Sequence, residues 1–214
     1  MRVIITGATR GIGAGLAKTY VDQGAEVIGT GRGAGADVRM DVADPGQYSA
    51  LTDAVGDAPV DLLICNAGVF LDKGHALDTG YDAAIWAQSF AVNVTGVFLT
   101  VQHLLTNLRA SHAPKIAIIS SQMASSTRAP GGSYIYRSSK AAVLNLGRNL
   151  ASDLHSDGIA LGIYHPGWVQ TDMGGSAADI TIADAVTGLQ REFSDLSLAT
   201  TGCFRTWDGR DHPF

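Results

Sequence analysis

"RVIITGATRGIG" occupies positions 2–13, and its reading decides the fold. A short run of β-branched and aliphatic residues, which favour extended chain, enters a cluster of three glycines, Gly7, Gly11 and Gly13. Glycine weakens regular structure, so such a cluster belongs where the backbone must turn sharply or approach something closely. Strand, glycine turn and helix start, in that order, form a phosphate-binding device. The first N–H groups of the helix have no intrahelical partner, and the positive end of its dipole lies there. Taken alone, the motif is read as easily as an ordinary glycine-rich turn, so the rest of the chain decides.

Outward from that turn, short apolar runs alternate with longer helical patterns. Strands are predicted near 2–6, 26–30, 37–40, 60–66, 115–120, 159–164 and 202–206, and helices near 11–23, 46–55, 81–110, 134–156 and 181–192. "VIGT", "VDLLIC" and "IAIIS" are rich in Val, Ile and Leu without polar alternation, as in a parallel sheet covered on both faces. Strands alternating with helices give a doubly wound α/β fold, a single domain over residues 1–214. One connection is unusual. "GAGADV" after Arg32 is too short for a crossover helix, so a trimmed loop is expected there.

Composition narrows the function. Of 214 residues, 46% are hydrophobic and 16% charged, which fits a compact folded chain. The net charge is −5, with no run of Lys or Arg, which argues against nucleic-acid binding. No apolar run is read as approaching the roughly 18 residues of a membrane span, and no membrane association is expected. "RVIIT" reads directly as a strand, so no signal peptide is expected. Cys65 and Cys203 are read as free thiols in apolar strands, and the cytoplasm is the expected location. Six scattered histidines lack metal-ligand spacing, and no metal is expected.

Four further signals follow in order, each at the carboxyl end of a predicted strand or just beyond it. "MDVAD" at 40–44 places Asp41, with Val42 beside it, where it would meet an adenine. "NAG" at 66–68 supplies Asn66, Ala67 and Gly68 for close approach of a ribose and nicotinamide. "ISSQ" at 119–122 brings hydroxyls to a strand end. "YRSSK" at 136–140 sets Tyr136 one helical turn before Lys140. Ligands of open α/β sheets bind outside the carboxyl ends of the strands.

These motifs, together with "PGWVQT" at 166–171, resemble the single-domain short-chain dehydrogenase/reductase family over nearly the whole chain. "YIYRSSKAAVLNL", "HPGWVQTDMGG" and the final "TWDGRDHPF" resemble its branch of C-factor and sniffer-type carbonyl reductases. The resemblance implies a Rossmann-type sheet. It also implies a nicotinamide site built from Gly7, Thr9, Arg10, Gly11, Ile12, Gly13, Arg32, Asp41, Val42, Asn66, Ala67, Gly68, Tyr136, Lys140, Pro166, Gly167, Val169 and Thr171.

Carbonyl reduction needs a hydride donor and an acid for the developing alkoxide. Tyr136 is the candidate acid, and an ammonium on the same helix face is expected to lower its pKa. Tyr134 meets only Ser138 at that spacing. The resemblance adds a hold on the nicotinamide ribose by Lys140. Ser121 ends a buried strand and is the candidate for binding the substrate oxygen, with Ser120 its rival. It lies 15 residues before Tyr136, where the family usually has about 13, so "MASSTRAPGGS" carries a two-residue extension. Asn93 falls in an apolar helix pattern, where an amide needs a partner. The resemblance suggests a kinked helix and a water relay towards Lys140. Gln122, Met123, Trp168 and Met173 are candidates for the substrate pocket, and His165 reads as structural.

The cofactor is expected to be NADP(H), with NAD(H) the alternative. An NAD site commonly carries a carboxylate at the end of the second strand, where this chain has Gly31 followed by Arg32. Arg32 and Arg10 are expected to clamp a 2′-phosphate from two sides. The substrate is read as a small carbonyl compound or secondary alcohol. Alternatives are an NAD-dependent alcohol dehydrogenase and a nucleotide-sensing or signalling protein with incidental catalysis. Apolar residues around much of the helices at 81–110 and 134–156 point to a homodimer or homotetramer.

Overall fold

The computed structural model describes residues 1–214. Seven strands form one sheet: β1 (Arg2–Thr6), β2 (Glu26–Gly31), β3 (Val38–Arg39), β4 (Leu62–Cys65), β5 (Lys115–Ile119), β6 (Ala160–His165) and β7 (Phe204–Thr206). Their order across the sheet is β3-β2-β1-β4-β5-β6-β7, and every neighbouring pair is parallel. The chain first builds outward from β1 through β2 to β3. It then returns to the other side of β1 with β4. That reversal opens a crevice at the carboxyl ends of β1 and β4.

Six α-helices cover the sheet: α1 (Gly11–Asp22), α2 (Tyr48–Val55), α3 (Ala83–Phe90), α4 (Gly96–Arg109), α5 (Tyr134–Leu154) and α6 (Ile182–Asp195). Successive strand residues point to opposite faces, and both faces are buried. Ile4, Leu63, Ile118 and Ile163 pack with residues of α2, α4 and α5. Val3, Ile5, Ile64 and Ala117 pack with Leu16 of α1 and with Leu189 and Phe193 of α6. This is why the strands read as unbroken apolar runs.

The long helix predicted over 81–110 is interrupted. α3 and α4 are joined by a π-helical turn, Ala91–Thr95, which contains Asn93. Taken as one, Ala83–Arg109 is long and apolar enough to cross a membrane by length and composition alone, which corrects the expectation that no such run exists. Its Val92, Val97, Val101, Leu104 and Leu108 are buried in the larger core. Both cysteines are free thiols, as expected. The connection from β2 to β3 has no helix. Asp37 closes it, its carboxylate accepting the Gly29 N–H at 2.7 Å.

Tyr48 ties α2 to this long helix. Its buried hydroxyl lies 2.9 Å from the carbonyl oxygens of both Val42 and Gly96, and 3.3 Å from Thr100 Oγ1. Gly96 permits the close approach, because a Cβ there would meet the Val42 carbonyl oxygen at 2.9 Å. Tyr48→Phe keeps the ring and removes the shared donor. Urea unfolding should show a loss of about 1–3 kcal/mol, and wild-type stability would show that these carbonyls do not depend on the phenol.

Candidate active site

The glycine turn is built by contact with the loop after β4. Asn66 Nδ2 donates to the carbonyl oxygens of Thr6 and Gly7, both at 3.0 Å. Thr6 Oγ1 accepts the N–H groups of Asn66 and Ala67, each at 3.1 Å. Gly7 and Gly11 have φ of +69° and +56°, the region where glycine carries no steric penalty. Gly13 lies so close to this loop that a Cβ there would overlap the Gly7 carbonyl oxygen. Arg10 stands at the N-cap of α1 without a capping side-chain bond, and the first turn contains no acidic residue. The first amides of α1 thus have neither a capping side chain nor a competing local carboxylate, which suits a pyrophosphate. Ile12, expected against the cofactor, packs its side chain on the smaller core.

The expected phosphate clamp takes a different form. Arg10 pairs with Asp172 at 2.9 Å, and Arg32 pairs with Asp41 at 3.8 Å. Each guanidinium is paired with a carboxylate of its own. Both pairs are solvent-exposed, and such pairs contribute little, so a phosphate can displace them. Asp41 also accepts the Ala43 N–H at 2.9 Å, and Val42 is buried against Gly96. At Gly31 an added Cβ would meet Thr9 Cγ2 at 2.7 Å. An acidic side chain there, as in an NAD site, would have to displace Thr9.

Tyr136 and Lys140 occupy the first two turns of α5 and are both buried. Lys140 Nζ lies 5.8 Å from the centre of the Tyr136 ring and donates to the Ile119 carbonyl oxygen at 2.9 Å. The Phe70 ring stacks on Tyr136, centres 4.2 Å apart. The expectation of a lowered tyrosine pKa is overturned here. Burial pushes the Tyr136 phenol up to about 12, with the nearby Ser121 hydroxyl acting in the opposite direction. Burial likewise pushes Lys140 down to about 8. Desolvation disfavours the charged form of each. Tyr134 lies at the surface, edge-on to Tyr81.

Ser121 is buried at the end of β5, and its Oγ accepts the Met123 N–H at 3.1 Å. Ser120 donates to the Lys140 carbonyl oxygen at 3.1 Å, so its hydroxyl is already committed to α5. Asn93 holds the backbone of Val69 with both ends of its amide. Its Oδ1 accepts the Val69 N–H at 2.8 Å, and its Nδ2 donates to the Val69 carbonyl oxygen at 2.9 Å. The Nδ2 also donates to Ser139 Oγ at 2.9 Å. Here the amide is satisfied by neighbouring backbone, the alternative to the relay suggested by resemblance. Gly68 lets Asn93 and Lys140 approach, since a Cβ there would lie 3.3 Å from Asn93 Oδ1 and 3.4 Å from Lys140 Nζ.

The segment after β6 returns to the glycine turn. Thr171 Cγ2 lies 3.4 Å from where a Gly11 Cβ would stand, and Val169 is buried beneath the segment. Pro166 leads into Gly167, whose φ is +88° and which packs beneath Ile180 and Trp207. Gln122, His165 and Trp168 line a cavity of about 460 Å³, together with Arg128, Arg210 and other residues of the C-terminal segment. Met123 and Met173 stand outside its wall. His165 is held near pKa 4, first by burial and then by the adjacent His212. The sequence reading missed Arg128, the C-terminal wall, Phe70 and the fully buried Asp72. No motif marks them, because their neighbours in space are distant in sequence.

Comparisons with known proteins agree with this layout. The family model for short chain dehydrogenase matches residues 1–180. The C-signal of Myxococcus xanthus is 36% identical over 167 residues, covering 77% of this chain and 99% of that protein. The NADPH-bound carbonyl reductase from chicken fatty liver superposes with a TM-score of 0.89 at 26% identity, over 100% of this chain and 98% of its own. The carbonyl reductase Sniffer of D. melanogaster has the same fold, with a TM-score of 0.90 at 23% identity over 100% and 99% of the two chains. A nicotinamide cofactor fits the uncapped start of α1 and the cradle at Gly13. On the match across most of its length, the chain belongs to the short-chain dehydrogenase family and is an NAD(P)-dependent oxidoreductase.

Proposed function

We propose that this chain reduces a small carbonyl compound with NADPH, with Tyr136 as the acid. The observation that carries this reading is the buried Tyr136–Lys140 pair on α5, beside the Ser121 hydroxyl at the end of β5. Bound NADPH supplies the hydride. The glycine turn and the open amides of α1 would hold the pyrophosphate, and the 66–68 loop would border the nicotinamide. Ser121 donates a hydrogen bond to the substrate oxygen and orients the carbonyl. Tyr136 then gives its phenolic proton to that oxygen as negative charge develops. At neutral pH burial keeps the phenol protonated, and an alkoxide is a stronger base than a phenolate. The protonated phenol is the form that reduction requires, and metabolite ratios set the net direction. Lys140, near its titration point in mildly alkaline solution, holds the ribose and replenishes the proton.

The NADP(H) preference rests on Gly31, Arg32 and Arg10, with Thr9 filling the space an acidic side chain would need. NAD-dependent alcohol oxidation uses the same residues but requires the ionised phenol. A signalling protein with incidental catalysis is a second reading, favoured by the similarity to C-signal. In its pure form, as a sensor, it predicts cofactor binding with no turnover across a panel of carbonyl compounds, whereas the reductase reading requires turnover. We also propose a homodimer or homotetramer joined through α4 and α5. Phe98 is exposed on that surface, and Leu99, Leu105, Leu146 and Leu150 are only half-buried.

Three measurements test this. Tyr136→Phe should lower kcat by roughly 10²-fold or more while retaining cofactor binding, with Tyr134→Phe as the active control. A Tyr136→Phe enzyme above about a tenth of wild-type kcat would remove the acid role from this residue. Arg32→Ala should weaken kcat/KM for NADPH by about 1.5–3 kcal/mol and barely alter NADH. Equal losses, or a wild type that prefers NADH, would refute the phosphate contact. Light scattering at micromolar concentration should give a mass at least twice that of one chain, and a monomer would rule out the α4/α5 interface.

A further inference from the structure

We propose that Asp72 is a positioning residue for Tyr136, which it fixes by capping α5 from the loop that follows β4. The helix has no local cap. Ser133 stands at its N-cap with φ of +48° and no side-chain bond, and Gly131 and Gly132 before it also have positive φ. The first amides of a helix need acceptors when they are buried. Asp72 supplies them from 63 positions earlier in the chain. Its carboxylate accepts the Ile135 N–H at 2.9 Å and the Tyr136 N–H at 3.2 Å.

Asp72 is 1% exposed and forms no ion pair. A buried carboxylate is unfavourable unless something compensates its charge. Here the compensation is two backbone donors and the positive end of the α5 dipole. The side chain is therefore specific to this junction rather than to a salt bridge. Its two oxygens answer two N–H groups, and one of these belongs to Tyr136 itself.

The rest of the loop acts on the same residue. Val69 is held by the Asn93 amide, and Phe70 stacks on the Tyr136 ring. The Asn93 amide also bonds Ser139 Oγ, which donates to the Tyr136 carbonyl oxygen at 2.8 Å. The backbone N–H and ring of Tyr136 are thus held by Asp72 and Phe70, and its carbonyl oxygen by Ser139, which Asn93 links to Val69. The same loop begins at Asn66–Gly68, beside the glycine turn. Asp72 thereby ties the phenol to the part of the chain that borders the nicotinamide. Hydride and proton must reach adjacent atoms of one carbonyl, so this spacing governs the rate of the chemical step.

The kinetic arm rests on the reductase reading above, and the exchange arm does not. In the wild type, the Ile135 and Tyr136 amides should be protected from hydrogen exchange. In Asp72→Asn, which keeps the shape but offers one acceptor, they should exchange about tenfold faster or more, with the centre of α5 unchanged. Single-turnover hydride transfer in Asp72→Asn should fall by roughly 10- to 100-fold, with NADPH affinity within about threefold of wild type. Asp72→Ala should lose more. If it does not fold, Asp72→Asn and the wild-type exchange data decide. Unprotected wild-type amides, an Asp72→Asn transfer rate within about threefold of wild type, or equal losses of transfer rate and NADPH affinity would each overturn the proposal. A wild type that turns over no carbonyl refutes the reductase reading instead, and exchange still decides the cap.

Discussion

The side chain of Asn66 spans the ends of β1 and β4, its amide donating to the carbonyl oxygens of Thr6 and Gly7 at 3.0 Å each. These two strands are neighbours in the sheet but lie far apart in the chain, and their divergence opens the crevice. Without this bridge the glycine turn would be held to the sheet by the Ala8 N–H on the Thr30 carbonyl oxygen and by Thr6 Oγ1, with nothing fixing the Gly7 carbonyl. With it, the Gly7 carbonyl is fixed against Gly13, and the start of α1 is set at one distance from the loop after β4. Everything at the carboxyl edge of the sheet is placed relative to that junction. Thr6 closes it from below through the N–H groups of Asn66 and Ala67.

The second constraint is electrostatic. Tyr136 and Lys140 are both removed from water, and each is driven towards its neutral form. A pair of this kind, taken from a surface helix into a crevice, exchanges mutual stabilisation for readiness. In that form the phenol keeps its proton and the amine gives its own up more readily. Ring stacking from Phe70 contributes to the desolvation. The ring stacked on Tyr136 therefore comes from the loop after β4, not from the helix that carries the tyrosine.

Much of the fold was legible because both faces of the sheet are buried. Ile4 packs to one side and Val3 and Ile5 to the other, so the run is apolar at every step. The trimmed β2–β3 connection was equally plain, since six residues cannot form a crossover. The π-helical turn at Ala91–Thr95 was not legible as such. It changes the hydrogen-bond register without changing the apolar pattern, and Asn93 was the one discordant residue. At the site, the motifs located Tyr136, Lys140 and Ser121 but did not give the sign of the tyrosine's shift. That sign depends on burial under Phe70, a contact 66 positions away in sequence. The orientations of Arg10 and Arg32 were hidden for the same reason, because their partners, Asp172 and Asp41, come from other loops.

The remote origin of the α5 cap bears on the stretch between Ser121 and Tyr136. A helix capped by the residue before it inherits every change in the length of its leading loop. α5 does not, because its first amides are referenced to Asp72, across the crevice. The segment 125–133 is anchored at its own start instead, where Ser125 is buried and the Ser125 hydroxyl and Thr127 N–H both donate to the Phe214 carbonyl oxygen at 3.3 Å. Its run of left-handed backbone at Gly131, Gly132 and Ser133 then leads into the helix. The loop before α5 is therefore held between two anchors remote in sequence, Phe214 at its start and Asp72 at its end, so the chain's last residue and the loop after β4 share the framing of this rim.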